Sequence, residues 1–120
     1  MKRSLTKQER LRSRQEIDRV FADGKGESCR GMRVVWASNG LDYSRMAVIP
    51  ARGHRTAVER NKSKRLGREV FRLSKPRISP GFDFVIICYP GDYRYADRQE
   101  QFHTLLSRAG VLCTTHRENH

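Results

Sequence analysis

The run Phe82-Asp83-Phe84-Val85-Ile86-Ile87-Cys88-Tyr89 constrains this chain more than any other stretch. Nearly unbroken apolar character over the length of one strand predicts a central strand buried on both faces. Pro80-Gly81 and Pro90-Gly91 bound it, and the cover comes from segments with helical signatures. Ser13 and Glu16 have the spacing of a capping box ahead of Ile17, Val20 and Phe21, which predicts a helix over about 14 to 22, stopped at Gly24. Thr56 and Glu59 repeat that spacing and open a longer helix over about 57 to 73, with Val58, Leu66, Val70 and Leu73 as its apolar face. Phe102, Leu105, Leu106 and Ala109 mark a third, over about 97 to 109, ended by Gly110. Between the first two helices, Gly24, Gly26 and Gly31 punctuate a loop. Met32 to Ala37 reads as a strand, and Asn39-Gly40 signals a hairpin into a returning strand, Tyr43 to Ile49, ended by Pro50. Helix, hairpin, helix, strand, helix gives an α+β sandwich with helices against a small sheet. At 120 residues this is one domain, spanning residues 13 to 112, with a basic, loosely ordered arm over 1 to 12 and a flexible tail over 113 to 120.

Charge points to the partner. The chain holds 25 Lys and Arg against 13 Asp and Glu, a net of +12, and it holds them unevenly. Residues 52 to 77 contain ten basic and two acidic residues, residues 1 to 33 ten and five, and residues 78 to 120 four and five. On the central helix Arg60, Lys64, Arg68 and Arg72 recur every four residues as a cationic stripe, which Lys62 and Arg65 thicken; Arg52 and Arg55 precede it. Like charges at i and i+4 weaken an isolated helix by a few tenths of a kcal/mol per pair, roughly, a cost that a polyanion relieves. Solvated helix faces normally mix signs, and only Glu59 and Glu69 interrupt this one. Nucleic-acid binding follows. An anionic membrane surface fits less well, because no helix has a broad Trp/Leu-rich face. No stretch approaches the ~20 apolar residues of a membrane span, and the charged N-terminus is unlike a signal peptide. Cys29, Cys88 and Cys113 are odd in number and far apart, which favours free thiols in a reducing cytoplasm.

A protein-borne active site is hard to assemble from these residues. His54, His103, His116 and His120 lack metal-ligand spacing, and Asp97 with Glu100 reads as the acidic start of a helix. There is no phosphate-binding loop and no nucleotide-binding glycine fingerprint. Two aromatic residues, Phe21 and Trp36, are candidate stacking platforms for unpaired bases, each weighed against core packing.

The stretch from Ala57 to Arg72 carries an Arg60-Asn61-Lys62 run, then Lys64-Arg65, then Arg68-Glu69-Val70-Phe71. It resembles the protein subunit of bacterial ribonuclease P, whose second helix carries Arg-Asn-Arg, Lys-Arg and Arg-Glu-x-Phe. The similarity extends to Leu5-Thr6-Lys7, to Glu16 through Phe21 with Gly24, to Phe82 through Ile87 and to Phe102 through Leu106, covering about residues 4 to 112 in order. The resemblance implies an α-β-β-β-α-β-α sandwich with a small mixed sheet and a left-handed βαβ crossover, like the second domain of ribosomal protein S5. It also implies an accessory role, in which the RNA subunit hydrolyses precursor tRNA with Mg²⁺ held mainly by that RNA. The protein would pair 1:1 with ribonuclease P RNA in the cytoplasm and hold the single-stranded 5′ leader. Carried over by position, Arg60, Asn61, Lys62, Lys64, Arg65 and Arg68 would bind the RNA, and the cationic stripe and basic stretch add Arg72, Arg52 and Arg55 to that set. Phe21 occupies an aromatic position of the implied leader cleft, whose expected lining also includes Ile17, Val35 and Trp36.

The sequence departs from the family pattern at several of these positions. Lys62 replaces an Arg, keeping charge but losing the planar fork. Ser63 replaces an aliphatic residue, Ile17 an aromatic, and Val35 lies near another aromatic position. Ala51-Arg52-Gly53-His54-Arg55 stands where Ser-Lys-Lys-Val-Gly is usual. The competing readings are a ribosomal or RNA-chaperone protein and a metal-dependent nuclease acting alone. The second lacks a carboxylate cluster.

Overall fold

Capping chemistry starts the helices where the sequence places it. The computed structural model describes residues 7 to 112. Helix α1 spans Arg14–Asp23, and Ser13 Oγ accepts from the Glu16 amide at 3.0 Å while the Glu16 carboxylate accepts from the Ser13 amide. Helix α2 spans Ala57–Ser74, with Thr56 Oγ1 accepting from the Glu59 amide at 3.1 Å. The Glu59 carboxylate reaches one residue further back than the capping box predicts and accepts from the Arg55 amide at 2.8 Å. Helix α3 spans Tyr95–Ala109, two residues longer at its start than the periodicity indicates, with Asp97 accepting from the Arg94 amide. Gly110 ends it in the left-handed conformation, φ 75°.

Strands β1 (Lys25–Cys29), β2 (Met32–Ser38), β3 (Arg45–Pro50) and β4 (Phe82–Cys88) form one mixed sheet in the order β1-β2-β4-β3. β2 lies antiparallel to both β1 and β4, and β3 runs parallel to β4. α2 is therefore the crossover between neighbouring parallel strands, and the element order α-β-β-β-α-β-α is the one the family resemblance implies. β4 is central, as its apolar run requires, and Phe84, Val85, Ile86 and Cys88 are buried. Phe84, Ile86 and Cys88 join Met32, Val34, Trp36 and Met46 beneath α2 and α3. There Phe71 packs its ring 6.0 Å from Phe84 and 6.4 Å from Phe102, centroid to centroid. Val85 joins Val35, Ala37 and Leu11 beneath α1 and its Val20.

Four expectations need correction. The segment read as a glycine-punctuated loop contains β1, a polar edge strand whose Lys-Gly-Glu-Ser-Cys sequence carries no burial signal because only β2 pairs with it. β2 and β3 are not hairpin partners, since β4 lies between them. Asn39-Gly40 instead forms a loop turn, with Asn39 Oδ1 accepting from the Leu41 amide and Nδ2 donating to Tyr43 O and Asp83. Val58 is 77% exposed, and the inward face of α2 is Ser63, Gly67, Val70, Phe71 and Ser74. Finally, the described part of the N-terminal arm is docked: residues 7 to 9 form a 3-10 turn, Arg10 bridges to Met46, and Leu11 is buried with its amide on Met46 O at 2.8 Å. This segment covers the outer edge of β3, which an exposed strand edge otherwise presents to other chains. The first six residues, the 113 to 120 tail, Cys113, His116 and His120 lie outside the described residues.

Candidate nucleic-acid interface

Burial of Ser63, Gly67, Val70, Phe71 and Ser74 turns the opposite side of α2 to solvent. Arg60, Asn61, Lys62 and Arg65 are exposed there, and Lys64 and Arg68 are half-buried at its margins. Among the described residues, none of Arg60, Lys62, Lys64, Arg65 and Arg68 enters an ion pair. Arg72 differs. Its guanidinium is clamped on Glu69, Nε to Oε1 at 3.2 Å with a second contact from Nη2 to Oε2, and that bond holds the Glu69 carboxyl below its ordinary range. The sequence stripe of four is thus three unpaired cations and one internally neutralised.

At the start of α2 the cations meet the crossover segment, residues 51 to 56. His54, Arg55, Thr56, Ala57, Arg60, Asn61 and Lys64 line a cleft of about 330 Å³. The unpaired amides of a helix's first turn and its positive dipole end favour anions in such a place. Arg52 and Arg55 are both exposed beside it. His54 turns inward instead, with Nδ1 2.8 Å from Ala51 O and Nε2 2.8 Å from Ser63 Oγ.

A second surface lies where α1 crosses the sheet. Ile17 and Phe21, one turn apart on α1, divide its roles: Ile17 packs on the Val20–Val35–Val85 cluster, whereas Phe21 is 44% exposed and outside it. Val35 is 3% exposed and covered by that packing. Beyond the cover of α1 the same face continues through half-buried Ala47, Ile49 and Ile87. Trp36 points to the other face, 9% exposed in the cluster beneath α2 and α3, so it does not share a platform with Phe21. Strand alternation places Val35 and Trp36 on opposite sides, and the α2–α3 layer captures the larger ring.

The join between α1 and the sheet is ionic. Asp83 is fully buried and accepts from Arg45 Nε at 2.9 Å and Nη2 at 2.7 Å, from Arg19 Nη2 at 2.6 Å and from Asn39 Nδ2 at 2.8 Å. Arg45 also reaches Glu16 on α1 at 3.1 Å. Burial alone pushes the Asp83 carboxyl up, but the hydrogen bonds from Arg45 and Asn39 and the charges of Arg45 and Arg19 outweigh it and hold the carboxyl below its usual range. No group of three or more His, Cys, Asp or Glu side chains among the described residues offers a divalent cation a donor set. The buried carboxylate belongs to arginines. His103 packs against Ser74, Nε2 to Oγ at 3.0 Å, and Cys88 is core with its thiol pushed up by burial.

The ribonuclease P family profile matches residues 5–110. The chain belongs to the ribonuclease P protein family. The ribonuclease P protein component of Thermotoga maritima is 42% identical over 87 residues, covering 72% of this chain and 74% of that protein. That of Syntrophus aciditrophicus is 34% identical over 109 residues, covering 89% and 92%. Among solved structures, a mutant Staphylococcus aureus RNase P protein superposes with a TM-score of 0.80 at 26% identity, covering 88% of this chain and 91% of that one. The RNase P protein from Thermotoga maritima gives 0.75 at 35% identity, covering 83% and 96%.

Within the ribonuclease P frame, two of this chain's departures touch each other. Ser63 and His54, which the family resemblance marks as replacing aliphatic residues, are hydrogen-bonded to each other here. Behind them lies Arg98, which the sequence reading passed over. Its signal was present: Arg98 precedes Phe102 by four residues and so falls on the apolar stripe of α3, where a cation needs a reason. Asp83 carried a similar signal, as the one charge in a run read as buried on both faces.

Proposed function

We propose that this chain is the RNA-binding accessory subunit of ribonuclease P, an endoribonuclease of tRNA processing. It binds the catalytic RNA 1:1 and holds the 5′ leader of precursor tRNA while that RNA cuts at the mature 5′ end. The observation that carries the reading is the cationic surface of α2, where Arg60, Lys62, Lys64, Arg65 and Arg68 have no carboxylate partner among the described residues, on a chain of this family. Asn61 adds a neutral hydrogen-bonding side chain, and Arg52 and Arg55 extend the charge around the helix start. Arg72, tied to Glu69, is the weakest member of the set.

Each Lys or Arg that meets a phosphate releases condensed counterions, so affinity falls steeply with salt, by a log–log slope of about 0.9 per contact on a duplex. The same cations screen the repulsion between two RNAs and lower the Mg²⁺ needed to bring them together. We assign the catalytic Mg²⁺ to the RNA subunit, as the family resemblance implies. Ile17, Phe21 and the uncovered sheet face beside Val35 form the leader surface, with Phe21 as the stacking ring. We place the assembly in the cytoplasm, where its RNA partners are made.

The test is precursor tRNA cleavage at low Mg²⁺ with a bacterial ribonuclease P RNA, with and without this protein. Cleavage at the mature 5′ end only when both are present is the expected result. Cleavage by the protein alone would move catalysis onto this chain. No stimulation with a folded protein and a matched RNA would leave a generic basic RNA binder.

A further inference from the structure

We propose that His54, Ser63 and Arg98 form a positioning relay that seats the crossover segment, residues 51 to 56, on α2 and thereby sets where Arg52 and Arg55 meet RNA. The inference rests on the RNA-binding reading above and adds three residues that do not themselves touch the ligand.

Arg98 is the fixed end. It is 1% exposed, and its guanidinium donates from Nη1 to Gly31 O at 2.7 Å and Gln101 Oε1 at 3.1 Å, and from Nη2 to Tyr89 O at 2.9 Å and Ser63 Oγ at 3.4 Å. The Tyr93 ring lies 4.5 Å from its Cζ. No carboxylate is among these partners. The charge is carried by carbonyl, amide and hydroxyl oxygens from the β1–β2 turn, the end of β4, α3 and α2, so one side chain ties four parts of the fold together.

With a neutral His54 ring, the two ends set the polarity of the chain of bonds. A guanidinium only donates, so Ser63 Oγ accepts from Arg98. A backbone carbonyl only accepts, so His54 Nδ1 carries the proton that points at Ala51 O. Nε2 of that ring is then an acceptor, and the Ser63 hydroxyl donates its proton to it. Arg98 to Ser63, Ser63 to His54 and His54 to Ala51 thus run in a single direction, engaging the Ser63 hydroxyl and both ring nitrogens of His54.

The crossover segment needs this tether. Arg52, Gly53, Arg55 and Thr56 are exposed, and Gly53 takes φ +106°. Its backbone is held at one end by the Ala51 amide on Cys88 O at 2.8 Å and at the other by the Arg55 amide on Glu59. Among the described residues, His54 is the only side chain of 51 to 55 that makes a hydrogen bond. Arg52 and Arg55 flank it in sequence, so the seat of His54 is the seat of both cations.

The experiment compares Ser63→Ala, Ser63→Thr, His54→Ala and wild type by imidazole ¹⁵N shifts and by binding to a bacterial ribonuclease P RNA across a salt series, with thermal melts alongside. Wild type is expected to show the Nδ1–H form of His54, and Ser63→Ala to lose that fixed form. Ser63→Ala and His54→Ala are each expected to weaken RNA binding by about 3- to 10-fold at moderate salt and to lower the salt slope by about one contact. Ser63→Thr, which keeps the hydroxyl, is expected to recover both. The double variant should lose no more than either single one. If Ser63→Ala unfolds, His54→Ala on its surface segment still decides the matter. Wild-type affinity and slope in the folded single variants would overturn the relay alone. Failure of the wild-type protein to bind that RNA would overturn the reading it rests on, and with it the purpose given to the relay.

Discussion

Asp83 is the residue on which the join of α1 to the sheet depends. Two arginines and an asparagine converge on a carboxylate with no access to water, so its removal strands Arg45 and Arg19 rather than simply deleting a contact. Asp83→Asn is expected to cost about 3 kcal/mol or more, the range for breaking a buried pair from one side, read as a lower urea midpoint. The pH dependence follows from the direction of its shift. Its folded pKa lies below the unfolded value, so folding favours the ionised form. That stability is complete above the unfolded range near ~4 and is lost as pH falls through the folded one. The urea midpoint of wild type should therefore drop in acid, and Asp83→Asn should flatten the drop; an equally steep drop in the variant would shift the linkage to other carboxylates, Glu16 among them. Phe21 behaves oppositely. At 44% exposure it contributes little to the core, so Phe21→Ala should leave the unfolding free energy within about 0.5 kcal/mol of wild type. It should weaken long-leader precursors selectively, by about 1–3 kcal/mol if one base stacks there. A loss that is independent of leader length and tracks stability would return Phe21 to packing. The basic residues were legible one by one because charge on a capped helix is local information. Trp36 was not, since alternation gives two faces and only the tertiary layer says which is wet.

At the scale of elements, α2 and β3 approach closely because Gly67 lets them. A Cβ on Gly67 would stand 2.8 Å and 3.0 Å from the two γ-methyls of Val48. This explains a glycine in mid-helix that costs about 1 kcal/mol relative to Ala: the close packing against Val48 leaves no room for a Cβ. Gly67→Ala gains that propensity and loses more to overpacking, about 1–3 kcal/mol, so a net destabilisation is expected in chemical denaturation. Adding Val48→Ala should restore part of it. A simple sum of the two losses would show that they do not meet. The helices were legible because caps and 3.6-residue periodicity are written in consecutive residues. The strand order was not. Met32 to Ala37 and Tyr43 to Ile49 have strand composition, but nothing local says that β4, more than thirty residues on, takes the place between them. β1 was silent because an edge strand of polar residues has no burial pattern to display.

For the whole molecule, the net +12 acts on folding and on binding in opposite senses. The free protein gathers ten of its cations between residues 52 and 77, and like charges held together on a folded surface repel. Salt screens that repulsion over a Debye length of ≈10 Å at 0.1 M. Melting temperature should therefore rise with added NaCl. Relief on the order of 1 kcal/mol corresponds to about 4 °C for a domain of this size. The Asp83 cluster is buried and is screened far less, so it does not cancel the trend. Under the proposed function, RNA affinity moves the other way, since salt competes with the release of counterions. The double substitution of Arg60 and Arg68 by Ala separates these effects from generic damage. Fewer clustered cations should raise the low-salt melting temperature and flatten its dependence on NaCl. The same variant should bind ribonuclease P RNA more weakly, with a salt slope shallower by roughly 1.5 to 2. A more stable protein that binds worse is the signature of a surface whose charge is held for a polyanion. An unchanged binding slope would take Arg60 and Arg68 off the RNA contact surface.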